Sequence, residues 1–157
     1  MGKISINGII ENAGLAMVSL TGVPAHLDAA AQVFAALAQR GINSECIIQS
    51  TDSQGQSDIT FCVARLDLEP ALTLAESLRA RLGAAAVRHV PRVAMVGIFG
   101  PDFRETPGVA ATMFHTLTAA GVAILAITTS ISTVSCVVAA DQLGNAVAAI
   151  EESFKLP

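Results

Sequence analysis

Apolar residues recur along this chain at two alternating periods. From His26 to Arg40 they stand three and four apart, at Ala30, Val33, Phe34, Leu37 and Ala38, the spacing of one buried helix face. Gly41 supplies its stop. Before it, Ala16 to Gly22 (AMVSLTG) reads as a short apolar strand. After it, Cys46 to Gln49 and Asp58 to Ala64 read as strands around a polar hairpin loop, Ser50 to Gln56, with Gly55 at its turn. Leu66 to Leu82 is a second helical stretch, with Pro70 tolerated in its first turn and Gly83 at its end. Ala85 to Val90 returns to strand. The predicted order is strand, helix, strand, strand, helix, strand.

From Arg92 the pattern starts again. Val93 to Gly97, Ala123 to Thr129 and Thr133 to Ala139 read as strands, Pro107 to Ala120 and Gln142 to Phe154 as helices. The residues repeat as well. Phe34, Leu37 and Gly41 are answered 80 positions later by Phe114, Leu117 and Gly121. Ile59-Thr60-Phe61 is answered 75 positions later by Val134-Ser135-Cys136, a difference that loops of unequal length absorb. A duplication predicts two like modules about a pseudo-twofold axis, with equivalent clefts between them. The second copy ends without its last strand. Ile4 to Ile10 belongs to neither copy and alternates apolar with polar residues, so it is expected to complete the second module and cover an open sheet edge. The resulting domains are 13–91, and 92–157 with the strand 3–10.

Composition narrows the function. The chain has 157 residues, 52% of them hydrophobic, without Trp or Tyr, so its core is built from Ala, Val, Ile and Leu. A formal charge of −4 opposes a nucleic-acid surface, which needs clustered Lys and Arg. No apolar run is long enough to span a bilayer, and MGKISINGII is too short and polar for a secretion signal, so a cytoplasmic location is expected. Cys46, Cys62 and Cys136 all fall in strands at no zinc spacing and read as small buried hydrophobes, reduced. No phosphate loop or GxSxG elbow is present, and His26, His89 and His115 are scattered. No catalytic residue, metal site or cofactor is therefore expected.

The segments GVPAHLDAAAQVFAALAQRGIN, CIIQS and SDITFCVARLDLEPAL, then TPGVAATMFHTLTAAGVAI, TTS and DQLGNAVAAIEESF, resemble in order and spacing the tandem ACT domains of the regulatory region of aspartate kinase. The resemblance implies an α+β chain of two ferredoxin-like βαββαβ ACT domains packed together, the N-terminal strand completing the second. It also implies allosteric feedback by threonine or lysine in aspartate-family amino-acid biosynthesis, a homodimer, and an aspartate kinase catalytic subunit as partner. This sequence does not include the family's kinase domain, so by resemblance it is either a separately made regulatory subunit or a regulatory fragment of a longer kinase. Three departures fall where effector or kinase contacts are expected. Ala25, His26, Leu27 and Asp28 stand where the family usually has Asp-x-Pro-Gly, Ala123 where it usually has Asn, and Ile131 where it usually has Glu.

An amino-acid carboxylate wants free backbone N–H groups, which a helix N-terminus supplies with a favourable dipole. In the second copy Thr106, Pro107, Gly108 and Val109 suit this: Thr106 as cap, Pro107 at the first helical position, Gly108 for close approach. By resemblance, the helix start of one module faces the early strand of the other, so Asn43 and Ser44 would share this pocket. The first-copy pocket would comprise Ala25, His26, Leu27, Asp28, Ala29 and Gln49 with Ala123 and Ile124. It is the poorer site, because Asp28 places a carboxylate where the ligand carboxylate should sit. Asp102, Arg104 and Glu105 precede Thr106, as a solvated loop or a lid over the second pocket. Beside the amino-acid-sensing reading stand a structural assembly subunit with decayed pockets, a stand-alone amino-acid-binding protein, and a ferredoxin-like enzyme, for which no convergent acid, base or nucleophile speaks.

Overall fold

The computed structural model describes residues 2–25 and 28–157. The chain divides into two compact units, Leu15–Arg92, and Met1–Gly14 with Val93–Pro157.

The unit Leu15–Arg92 takes its strands from β1 (Gly8–Val23), β2 (Glu45–Thr51), β3 (Ser57–Ala64) and β4 (Ala86–Phe99), in the order β2-β3-β1-β4. β1 runs antiparallel to β3, with Leu15 opposite Ala64 and Leu20 opposite Ile59. On the β4 side, the Ala85 N–H donates to the Thr21 carbonyl at 2.9 Å. Two helices, α1 (Ala29–Gln39) and α2 (Leu68–Leu82), bury Ala29, Val33 and Leu37, and Ala71, Ala75, Leu78 and Leu82, against Val18, Leu20, Ile59, Phe61 and Val63. Those are the strand positions that point to one face, as a period of two requires. Fully burying each large side chain contributes roughly 1.5–3 kcal/mol. Phe34 meets Phe61 edge-on, ring centroids 5.6 Å apart. Gly83, at φ 74, ends α2 in the left-handed conformation that a Cβ disfavours.

The other unit repeats this plan with β1-β4-β6-β5, where β5 is Ala126–Thr129 and β6 Thr133–Ala139. Its helices are α3 (Val109–Ala119) and α4 (Leu143–Ser153). Val109, Met113 and Leu117, with Ala146 and Ile150, pack on Val96, Ile98, Val134, Cys136 and Val138. The N-terminal segment takes part in this unit. Ser5 bridges Lys155 in parallel, the Ile6 N–H donates to Lys155 at 3.0 Å, and the Asn7 N–H donates to Phe99 at 2.8 Å. Ile6 is 3% exposed within the core. Both units therefore have the ferredoxin-like sheet order, and the first strand serves the second copy.

Several boundaries differ from those read in the sequence. Ile4 to Ile10 and Ala16 to Gly22 were expected as separate strands, yet β1 runs from Gly8 to Val23 through the polar stretch Glu11–Asn12 and through Gly14 at φ 74. Likewise Ala85 to Val90 and Val93 to Gly97 were expected as separate strands, yet β4 runs from Ala86 to Phe99 through Pro91. The helix expected from Leu66 opens as a 3-10 turn, Arg65–Asp67. The strand expected from Ala123 begins at Ala126, because residues 120–122 still bond the last carbonyls of α3. The three thiols are not alike: Cys62 and Cys136 are buried, whereas Cys46 is half-buried at φ 51.

Candidate functional site

The site is built where α3 begins. Gly108 is its N-cap, at φ 91, and the first helical bond runs from the Thr112 N–H to the Gly108 carbonyl at 2.9 Å. The amides of Val109, Ala110 and Ala111 thus have no partner within the helix. No side chain caps them, and no acidic residue stands in the first turn. This corrects the expectation that Thr106 caps the helix with Pro107 at its first position. The left-handed turn at Gly108 starts the helix two residues later and leaves both residues on the approach to it. A glycine tolerates that conformation, which costs other residues about 1–2 kcal/mol.

A cavity of about 300 Å³ opens at this helix start, lined by Phe103, Arg104, Thr106, Pro107, Gly108, Val109 and Ala110, and by Thr129, Ser130 and Val134. Its floor is apolar, since Val109 and Val134 are buried. Its polar lining residues are Arg104, Thr106, Thr129 and Ser130, and Val109 and Ala110 bring the start of α3 to its wall. The β5–β6 turn holds Ser130 in place: its Oγ is 2.8 Å from Thr133 Oγ1, and its N–H donates to the Thr133 carbonyl at 2.9 Å. The Phe103–Glu105 loop is fastened to the same turn through the Phe103 N–H and the Ile131 carbonyl, 2.8 Å apart. Arg104 is already engaged, its Nη2 2.7 Å from Asp102 Oδ2. That pairing holds the Asp102 carboxyl below its ordinary range.

Of the sequence-predicted residues, Thr106, Pro107, Gly108 and Val109 are brought together here. Asn43, exposed, and Ser44, half-buried, belong to the other unit, in the link between α1 and β2. Thr129, Ser130, Phe103 and Val134 were missed as lining residues. The repeat carried the signal for one: Thr129 stands 80 positions after Gln49, already proposed as an effector contact.

The first copy is built differently. Asp28 occupies the N-cap of α1 but makes no capping hydrogen bond, and its Oδ2 accepts instead from Gln32 Nε2 at 3.0 Å. The carboxylate therefore does not satisfy the helix amides, although its charge stays at the helix start. Ala25 is exposed and Ala29 buried, while Gln49 is exposed on β2. His26 and Leu27 lie outside the described residues. Ala123 and Ile124 belong to the other unit, between α3 and β5, with Ile124 packed on its core. Among the described residues no group of three or more His, Cys, Asp or Glu converges as metal ligands, and no helix is long and apolar enough to cross a membrane.

Two ferredoxin-like units in tandem, one with an open helix N-terminus over a small cavity with an apolar floor, define the class of fold. The family model of the ACT domain matches residues 17–77 and 96–154. The chain belongs to the ACT domain family, as the tandem regulatory region of the aspartate kinases. It is similar to the aspartokinase of Bacillus sp. (strain MGA3), 30% identical over 154 residues that make up 98% of this chain and 38% of that one. It is also similar to the ligand-free regulatory subunit of aspartate kinase from Thermus thermophilus, with a TM-score of 0.86 and 30% identity, covering 96% of this chain and 99% of that one. A structure of aspartokinase alpha and beta subunits aligns with a TM-score of 0.86 and 29% identity, over 95% of this chain and 98% of the matched chain. The chain thus spans well under half the length of the curated aspartokinases it matches, 38% and 36% for two of them.

Proposed function

We propose that this chain senses a free amino acid of the aspartate family, threonine or lysine, and passes the signal to an aspartate kinase catalytic subunit. The observation that carries this reading is the α3 helix start: its first amides have no helix partners, and Val109 and Ala110 line a cavity of about 300 Å³ together with Thr106, Thr129 and Ser130. The ligand carboxylate takes the amides of Val109 to Ala111. The hydroxyls of Thr106, Thr129 and Ser130 receive the ammonium or a side-chain hydroxyl, since each can donate and accept. Binding shifts the regulatory equilibrium only as far as its affinity differs between the two arrangements of the protein. The likeness to a regulatory subunit and to a structure of alpha and beta subunits supports a kinase partner, and we propose self-association as a homodimer.

The second reading, an assembly subunit with decayed pockets, is favoured by the Asp28 carboxylate at the start of α1. Thermal unfolding of the chain with each proteinogenic amino acid separates the two. An effector present at about 100 times its dissociation constant stabilises by about 2.7 kcal/mol. A shift with threonine or lysine alone supports sensing, and no shift with any amino acid supports the assembly role.

A further inference from the structure

We infer that Cys46 and Cys62 form a reversible intrachain disulfide when the protein meets a small-molecule disulfide, which makes the β2–β3 pair an oxidation site. Three features of the unit Leu15–Arg92 lead there. Glu45 stands opposite Cys62 and Ile48 opposite Thr60, so Cys46 and Ile47 together face Phe61. This is a β-bulge, a device that re-aims a side chain. Cys46 takes the left-handed conformation in it, at φ 51, and is the one non-glycine with positive φ among the described residues. That position in such a bulge is ordinarily glycine's. The bulge turns the Cys46 thiol to its neighbour, and the two thiols hydrogen-bond to each other.

The pair is reachable from one side only. Cys46 is half-buried and Cys62 is 0% exposed. Cys46 is one residue along β2 from Glu45, the residue that faces Cys62. Facing Cα atoms lie about 4.5–5.5 Å apart and one strand residue rises about 3.4 Å, so this diagonal pair is spaced by about 6 Å, within the roughly 4.4–6.8 Å that a disulfide spans. The hydrogen bond from Cys62 draws the Cys46 thiol below its ordinary range, against burial and the Glu45 carboxylate, which act the other way. The same bond and burial push Cys62 up. Cys46 is therefore the attacking thiolate and Cys62 the resolving thiol.

The chemistry balances with a disulfide RSSR as oxidant. The Cys46 thiolate attacks one sulfur, the S–S bond breaks, and RS⁻ leaves and takes up a proton. Cys62 then loses its proton and attacks Cys46 Sγ, expelling the second RS⁻. Two protein thiols are oxidised and one RSSR is reduced to two RSH. Cys136, buried in the core of the other unit, serves as an internal control.

The test incubates the reduced, folded full chain with glutathione disulfide, then counts thiols under denaturing conditions and maps the peptides by mass. Titratable thiols are expected to fall from three per chain to one, with a peptide joining Cys46 to Cys62 that dithiothreitol reverses. In Cys62→Ser, Cys46 is expected to retain one glutathione. In Cys46→Ser, both remaining thiols are expected to survive. Three thiols persisting in the unaltered chain, a stable glutathione adduct on its Cys46, or Cys136 reacting as fast as Cys46 would each overturn the proposal.

Discussion

The two copies share a frame and differ at the start of their first helices. Asp28 and Gly108, 80 residues apart, are the N-caps of equivalent helices. Each gives its carbonyl to the first helical bond, from Gln32 and from Thr112, at 2.9 Å in both cases. What differs is the side chain. Asp28 brings a carboxylate tied to Gln32, whereas Gly108 brings none and turns through φ 91. Helix packing is thus conserved between copies while the chemistry at the helix start is not. A duplicated fold can keep both cores and still differ in the charge at its helix starts, because the core depends on the buried face of the helix and the local charge on its first turn.

The comparison can be tested at several strengths. The largest effect is expected in the cores, at Leu37 and Leu117, 2% and 0% exposed. Leu37→Ala and Leu117→Ala should each lose about 2–5 kcal/mol in urea unfolding, as buried leucines do. A loss near zero at either would break the claim that the copies share a frame. Next is the exchange of the divergent residue. Gly108→Asp should lose about 1–2 kcal/mol to the left-handed backbone and abolish the effector-induced thermal shift. A variant that keeps the shift would remove Gly108 from the site. Smaller still is Asp28→Ala, expected to change stability by less than about 0.5 kcal/mol, against the roughly 1 kcal/mol of a true capping aspartate. A full capping loss in calorimetry would contradict the side chain's turn toward Gln32.

The smallest effect concerns Asp102. Its carboxyl is drawn below the ordinary 3.8 first by the Arg104 side chain and then by the Arg104 amide. Because the folded pKa is the lower one, its stabilisation is complete above about pH 4 and fades as pH falls through the folded value. Carboxyl NMR should place Asp102 below other exposed aspartates and raise it in Arg104→Ala. An unchanged titration would dissolve the pair.

The alternation of strand and helix was legible because each element buries one periodic face: Val33 and Leu37, or Ile59, Phe61 and Val63, announce it directly. The ends were less legible. Glu11 to Gly14 and Pro91 look like breaks, but strands can pass through such residues when the neighbouring chain supplies the pairing, which sequence alone does not display. The helix start at Val109 was misplaced by two residues because Pro107 is a good first residue of a helix. A glycine in the left-handed conformation at 108 overrode it. Half of the cavity was visible in Thr106 to Val109. The other half, Thr129, Ser130 and Val134, comes from β5, β6 and the turn between them, distant in sequence, and the repeat pointed to Thr129 alone.

The central claim is that the start of α3 is the anion-binding end of an effector site. An amide NMR titration of the chain with threonine and with lysine tests it most directly. The account predicts that one of them shifts the Val109, Ala110 and Ala111 amides most, together with Thr129 and Ser130. Shifts confined to the start of α1, around Ala29 to Ala31, or none with either amino acid, would contradict it.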